Sequence, residues 1–204
     1  MKNRGLFVMG IMMLFTALVL AIVAGLITPD MLKRDGRSRG GSTPPKPGND
    51  QTARQAFTQV TTWAAEQNIQ SEMLSLSATM QKGEPSSDWT FQLYEPERKE
   101  ILVVTQGEET RILREQKALY AQRAFPSEKW STDSDAVLSA WWQAGGQSVW
   151  SRASAQSLHL HLGQDPEGAL SWTVAILSED GEVLDVFRMD AESGAILPGL
   201  EDKP

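Results

Sequence analysis

Cysteine is absent from this 204-residue chain, and histidine occurs only twice. Without cysteine the protein forms no disulfide, no thiolate metal site and no cysteine nucleophile. The sequence also has no His-Glu-x-x-His zinc motif and no glycine-rich phosphate-binding loop, which mark metalloprotease and nucleotide sites. We therefore predict that the protein is not an enzyme and uses no cofactor.

Basic residues are scarce after the first 39 positions. Residues 40–204 contain 13 Lys and Arg against 24 Asp and Glu, although the whole chain has a formal net charge of −7. Such an acidic region repels nucleic-acid phosphates, and no basic patch with interleaved aromatic residues accompanies it. Nucleic acid is therefore excluded as a predicted partner.

One long apolar run lies near the N-terminus. No charged residue occurs from Leu6 to Ile27, and Thr16 is the only polar side chain there. At about 1.5 Å rise per residue, such a helix crosses a hydrocarbon core about 30 Å thick. The run also exceeds the roughly 7–15 apolar residues of a signal peptide. We therefore predict a transmembrane anchor in 1–34, in contact with membrane lipid through residues 6–27.

Charge leaves the orientation of this anchor open. Lys2 and Arg4 favour a cytoplasmic N-terminus, whereas four basic residues after the run favour the opposite: Lys33, Arg34, Arg37 and Arg39. The same two N-terminal charges would suit a secretory signal, so cleavage stays an alternative. Residues 35–50 are rich in Gly, Pro and Ser, which predicts a linker without a packed core.

A helix pattern followed by strand patterns occupies 51–125. Apolar residues recur at helical spacing over 52–67, and Asp50 precedes them as the predicted N-cap. Strand patterns follow at 74–78, 89–94 and 101–105. The pattern over 110–120 leaves open whether that segment is a strand or a short helix.

The same order of elements returns over 126–204. Asp133 and Asp135 precede a predicted helix at 136–144, and Gly145-Gly146 is predicted to end it. Strand patterns follow at 157–162, 170–177 and 183–189. Two such copies predict an α+β fold in which a helix covers one face of an antiparallel meander in each unit, with the seven tryptophans in the core.

Three short motifs distinguish the second copy: Gly145-Gly146, Trp172-Thr173-Val174 and the ending Asp190-Ala191-Glu192-Ser193-Gly194. On these motifs, residues 134–197 resemble the PepSY domain family. Residues 52–105 share the element order and a strand that begins with Trp89. The resemblance implies tandem cystatin-like units outside the cytoplasm that bind or restrain a peptidase or another protein of the bacterial cell envelope.

The two histidines, His159 and His161, are the candidate metal ligands of this sequence. Positions i and i+2 of a strand share a face, so two imidazoles could meet one ion. No carboxylate lies at ligand spacing nearby, and three leucines occupy the opposite face: Leu158, Leu160 and Leu162. We therefore predict a solvent-facing pair, and no catalytic, cofactor-binding or metal-binding residue.

The predicted function follows from the anchor and the resemblance. We expect a single-pass, membrane-tethered, extracytoplasmic PepSY-like module that binds and regulates an envelope protein, with a peptidase as one candidate. The alternative is an accessory subunit of a larger membrane protein complex. In that case small residues of the apolar segment would pack against other helices: Gly5, Gly10, Ala17, Ala21, Ala24 and Gly25.

Overall fold

Eight strands form the centre of the protein in the computed structural model, which describes residues 43–46, 51–84, 87–120, 122–165 and 167–198. The strands are β1 (Glu72–Gln81), β2 (Trp89–Glu95), β3 (Glu100–Gln106), β4 (Thr110–Lys117), β5 (Ala155–Gln164), β6 (Leu170–Ser178), β7 (Val183–Asp190) and β8 (Ile196–Leu197). They make one antiparallel sheet in the order β4-β3-β2-β1-β5-β6-β7-β8.

Short helices accompany the sheet within the described ranges. They are α1 (Ala53–Glu66), α2 (Ser134–Trp141) and α3 (Gln147–Trp150), with a 3-10 turn at Ser127–Lys129 and a π-helical turn at Trp142–Gly146. The α+β class with an antiparallel sheet is therefore confirmed. The segment that the pattern left open is a strand, β4, at the edge of the sheet.

The chain repeats a helical segment followed by four strands. α1 precedes β1 to β4, and α2 and α3 precede β5 to β8. β1 and β5 pair from Ser75–Gly163 to Gln81–Ser157 and so join the two sets. The strands that lie within the predicted units 51–125 and 126–204 thus form the two halves of one continuous sheet, and all described residues lie in one compact unit.

The helices and one face of the sheet enclose the core. The buried positions of α1 recur at helical spacing on one side: Ala53, Ala56, Val60 and Ala64. Phe57 lies 6.2 Å from Phe91 and 5.8 Å from Trp130 between ring centroids, and Trp130 lies 6.0 Å from Trp172. This aromatic row connects the two halves through edge-to-face and tilted contacts.

The prediction that the tryptophans form the core is confirmed for four of the seven. Four indoles are at most 1% exposed: Trp89, Trp130, Trp141 and Trp172. The other three are half-buried and pack against the same cluster: Trp63, Trp142 and Trp150. Within the adjacent pair Trp141-Trp142, the second ring is the more exposed one, because neighbouring helix residues point in different directions.

Side chains cap the N-terminal ends of α1 and α2. α1 begins after Thr52, whose hydroxyl accepts from the Gln55 amide nitrogen at 3.3 Å while the Gln55 side chain accepts from the Thr52 nitrogen at 2.9 Å. The prediction that Asp50 is the N-cap is therefore wrong. Asp133 does cap α2, because its Oδ1 accepts from the Ser134 nitrogen at 2.7 Å.

The helix that Gly145-Gly146 was predicted to end instead bends and continues as α3. Gly145 has φ 116°, a region that glycine adopts without the strain of a side chain. A Cβ on Gly146 would lie 2.2 Å from Cε2 of Trp141. The glycine pair therefore lets the chain turn closely over a buried indole.

No helix in the ranges that the structure describes is long and apolar enough to cross a membrane. The predicted anchor at residues 6–27 lies outside those ranges, as does most of the linker at 35–50. The membrane prediction therefore stays a prediction.

Candidate binding surface on the open sheet face

The sheet has a second face, opposite the helices. Along each strand successive side chains alternate between faces, so the residues between core positions point away from α1 and α2. On β5 the predicted arrangement is confirmed: Leu158, Leu160 and Leu162 are fully buried, whereas His161 is exposed and His159 half-buried. Together these outward-pointing residues make up what we call the open face.

An apolar patch lies on the open face of β2 and β3. Tyr94 pairs with Ile101 and Gln92 pairs with Val103, so these four side chains lie side by side. Gln92 is exposed and the other three are half-buried. We call Tyr94, Ile101 and Val103 the outer patch.

Polar side chains surround the outer patch. On β4, Arg114 lies opposite Val103 and Gln116 opposite Ile101, and both are exposed. On β1, Ser75 lies opposite Gln92. An apolar centre with a polar rim is the usual anatomy of a protein–protein contact.

Sequence reasoning did not identify the outer patch. The available signal was the uninterrupted apolar run Ile101-Leu102-Val103-Val104, which places apolar side chains on both faces of one strand. Leu102 and Val104 are buried under the helices, and the other two lie on the open face.

A hydrogen-bonded row crosses the seam between the two halves. Nδ1 of His159 lies 3.1 Å from the hydroxyl of Thr79 on β1, and its Nε2 lies 3.1 Å from the hydroxyl of Ser157. Both ring nitrogens are thus engaged by hydroxyl groups, and no carboxylate among the described residues hydrogen-bonds to the ring. The row joins β1 to β5 and offers neither a free metal ligand nor an acid-oriented base.

Burial lowers the pKa of His159 below its ordinary value of 6.5 because desolvation disfavours the imidazolium. The outward positions beside it on β1 and β6 carry hydroxyl, amide or aliphatic groups and no charge. Its folded-state pKa lies below the unfolded one. The folded protein therefore loses no stability to His159 at a pH above the unfolded pKa. The free energy of unfolding decreases as the pH falls below about 6.5, because the unfolded chain then binds the proton more readily.

We expect the thermal unfolding midpoint to decrease between neutral pH and about pH 5, and His159→Gln to flatten that dependence. Glutamine retains a donor and an acceptor for the two hydroxyls but does not titrate. Circular dichroism melts across a pH series measure the slope. An identical slope in the variant and the parent protein would contradict this assignment.

The histidines share a face as predicted, but they recruit no third ligand. Among the described residues, no group of three or more His, Cys, Asp or Glu side chains could hold a metal ion. A Cβ on Gly163 would lie 2.6 Å from Nε2 of His161, so this ring lies over the glycine.

Ion pairs surround two buried glutamates, Glu95 and Glu100, at the β2–β3 turn. Lys117 Nζ lies 2.7 Å from Oε1 of Glu100, and Arg98 lies 2.9 Å from Glu100 and 3.4 Å from Glu95. The hydrogen bond from Lys117 is the main cause of the lowered pKa of Glu100. A carboxyl group that stays ionised in this way is unsuited to act as a general acid near neutral pH.

The Asp190-to-Gly194 motif forms a tight turn. Oδ1 of Asp190 accepts from the Ser193 nitrogen and hydroxyl, both at 2.7 Å, and from the Glu192 nitrogen at 3.2 Å. The bonds from Ser193 are the main reason that the pKa of Asp190 is lowered. Gly194 has φ 73°. Local hydrogen bonds and the positive φ of Gly194 thus give this motif a structural role, which the residue types Asp, Ser and Gly indicate in the sequence.

A surface groove of about 500 Å³ lies between α1 and the start of β4. Its lining includes Thr58, Thr62, Trp63, Glu66 and Glu109. The groove is open to solvent along much of its length, so a small ligand there would stay largely hydrated. The open face is therefore the stronger candidate surface.

The chain was compared with known proteins at three levels. No protein-family model, no curated protein and no solved structure matches it.

Proposed function

We propose that this chain is a membrane-tethered, extracytoplasmic binding module that docks and regulates an envelope protein through the open face of its sheet. The PepSY resemblance makes a peptidase the first partner class to test. The tether is the predicted span at residues 6–27. The observation that carries the binding proposal is the outer patch, an apolar centre of Tyr94, Ile101 and Val103 within a polar rim.

Three features of the patch support binding. Its residues lie on regular strands, so their positions are fixed before a partner arrives and little ordering entropy is lost. Tyrosine is enriched at protein interfaces because its ring buries a large area and its hydroxyl can still hydrogen-bond. Arg114 stands at the rim and can pair with a carboxylate of the partner.

Cross-linking from the patch tests this proposal. Because the chain has no cysteine, the Gln92→Cys variant of the full-length protein can carry a single photo-reactive maleimide beside the patch. We expect irradiation in native membranes to yield one discrete adduct, identified by mass spectrometry. The Ala65→Cys variant carries the same probe on the exposed side of α1 and should give none.

A charge placed in the patch provides the second arm. Val103→Asp should abolish the adduct formed from the Gln92→Cys variant, with circular dichroism reporting whether the fold is retained. Equal adducts from both labelled positions, or none from either after complete labelling, would overturn the proposal. A stoichiometric set of integral membrane proteins would instead support the accessory-subunit alternative.

A further inference from the structure

The loop after β4 carries the most exposed large apolar side chains of the described residues. Leu119 is 82% exposed and Tyr120 is 79% exposed, and Leu113 on β4 itself is 43% exposed. Full exposure of two consecutive large apolar residues costs solvation free energy, so it points to a surface that covers them.

This loop is held in place on both sides. The Ala118 nitrogen donates to the Lys99 carbonyl at 2.8 Å. Beyond the exposed pair, Phe125 is 3% exposed and its nitrogen donates to the Met73 carbonyl at 3.0 Å. The side-chain nitrogen of Gln122 also donates to the Tyr120 carbonyl at 2.8 Å. The exposed pair therefore lies on a loop whose backbone is hydrogen-bonded at both ends.

The segment made of β4 and this loop is also basic, whereas the rest of residues 51–198 is acidic. Residues 110–124 contain four basic side chains and one acidic one, whereas the rest of 51–198 contains seven basic and twenty acidic residues. Arg111 and Arg114 are exposed on β4 and make no ion pair with a described residue. Lys117 is engaged with Glu100 but remains 71% exposed.

We propose that this basic arch, comprising Arg111, Leu113, Arg114, Lys117, Leu119 and Tyr120, binds the surface of an anionic lipid bilayer. The guanidinium and ammonium groups would meet lipid phosphates, and the side chains of Leu119 and Tyr120 would enter the interfacial layer. Tyrosine is enriched at that depth because its ring is apolar and its hydroxyl stays hydrated.

Charge complementarity favours lipid over the other occupants. Leu119 and Tyr120 are exposed at consecutive positions, and such a pair suits a soft planar surface better than a preformed protein pocket. The acidic remainder of the sheet would be repelled by the same headgroups, so contact at the arch fixes one orientation. This inference rests on Leu119, Tyr120 and the basic side chains beside them, and it shares only Arg114 with the rim of the outer patch. It does not depend on whether residues 6–27 span the membrane.

Site-specific fluorescence tests the arch in the full-length protein. Because no native cysteine competes, Leu119→Cys can carry one environment-sensitive fluorophore. Ile196→Cys, on β8 at the far edge of the sheet, is the matched control and is 61% exposed in the native protein. Each is reconstituted in vesicles of phosphatidylcholine alone and of phosphatidylcholine with phosphatidylglycerol.

We expect a blue shift and quenching by spin-labelled lipid at position 119 in the anionic vesicles only, with no change at position 196. High salt should reverse the shift by screening. The double variant Arg111→Glu, Arg114→Glu should abolish it while circular dichroism stays unchanged, because both side chains are exposed.

Identical emission at the two positions in both vesicle types would overturn the proposal, as would an equal shift at 119 in phosphatidylcholine alone. A concentration-dependent shift without vesicles would mean that a second copy of the chain covers the arch. Failure here leaves the adduct expected from the Gln92→Cys variant unchanged, so the two proposals can fail separately.

Discussion

Replacing Trp172 by alanine is expected to lower the free energy of unfolding by about 3–5 kcal/mol. The indole is fully buried in the second strand of its half, and it contacts Trp130 in the aromatic row. Its Nε1 donates to the Thr132 carbonyl at 2.8 Å. The substitution leaves a cavity and removes this hydrogen bond, because alanine supplies neither the volume nor the donor.

Equilibrium urea unfolding measures the loss, and two variants calibrate it. Trp172→Phe keeps an aromatic ring but loses the N–H donor. A smaller decrease in the free energy of unfolding, about 1–3 kcal/mol, is therefore expected. Trp142→Ala removes a half-buried indole and should also cost less. Equal losses at positions 142 and 172 would show that the aromatic row does not carry the stability assigned to it.

Trp89 occupies the corresponding position in the first half of the sheet, so its substitution repeats the test of Trp172. Its Nε1 donates to the Gln51 carbonyl at 3.2 Å, and Gln51 immediately precedes the N-cap of α1, as Thr132 precedes that of α2. Both indoles thus bond the chain at the entrance of a helix. Trp89→Ala should therefore destabilise the protein to a similar extent.

Ser134→Ala is expected to lower the free energy of unfolding by about 1–3 kcal/mol. The Ser134 hydroxyl accepts from the Ala53 nitrogen at 2.9 Å, and both residues are almost completely buried. Alanine would leave that nitrogen without a partner and out of reach of water. A Ser→Ala substitution on the exposed face of a helix would change the free energy of unfolding very little. The loss at Ser134 therefore measures the contact between the N-terminal ends of α1 and α2.

Asp133→Ala tests the shared cap at the same junction. Oδ1 of Asp133 accepts from the Ser134 nitrogen at 2.7 Å and from the Arg54 nitrogen at 3.1 Å, and so serves both α2 and α1. A single N-cap contributes about 0.5–2 kcal/mol, and we expect the upper end here. Thr52→Ala, which removes the cap of α1 alone, is the matched control.

Urea unfolding of the single and double variants at positions 133 and 134 forms a double-mutant cycle. We expect non-additive losses because the two side chains hold the same pair of helix ends. Additive losses no larger than that of Thr52→Ala would mean that the helix starts are stabilised independently.

The outcome at the candidate surface shows where sequence patterns are informative. Alternation correctly placed Leu158, Leu160 and Leu162 inside and the two histidines outside, because the two-residue period of a strand is local. The outer patch and the pairing of His159 with Thr79 depend on which strands are neighbours. These partners are 80 residues apart, and no local pattern specifies their register.

The sequence by itself determined the α+β class, the inward faces of the strands and the turn closed by Gly194, since each depends on the periodicity or hydrogen bonding of a few consecutive residues. Only the tertiary structure decided that the two halves share a sheet through β1 and β5, that Asp133 caps a helix 79 residues away, and that Gly145-Gly146 bends a helix over Trp141. Each of these depends on contacts between segments distant in the chain, where packing overrides local preference.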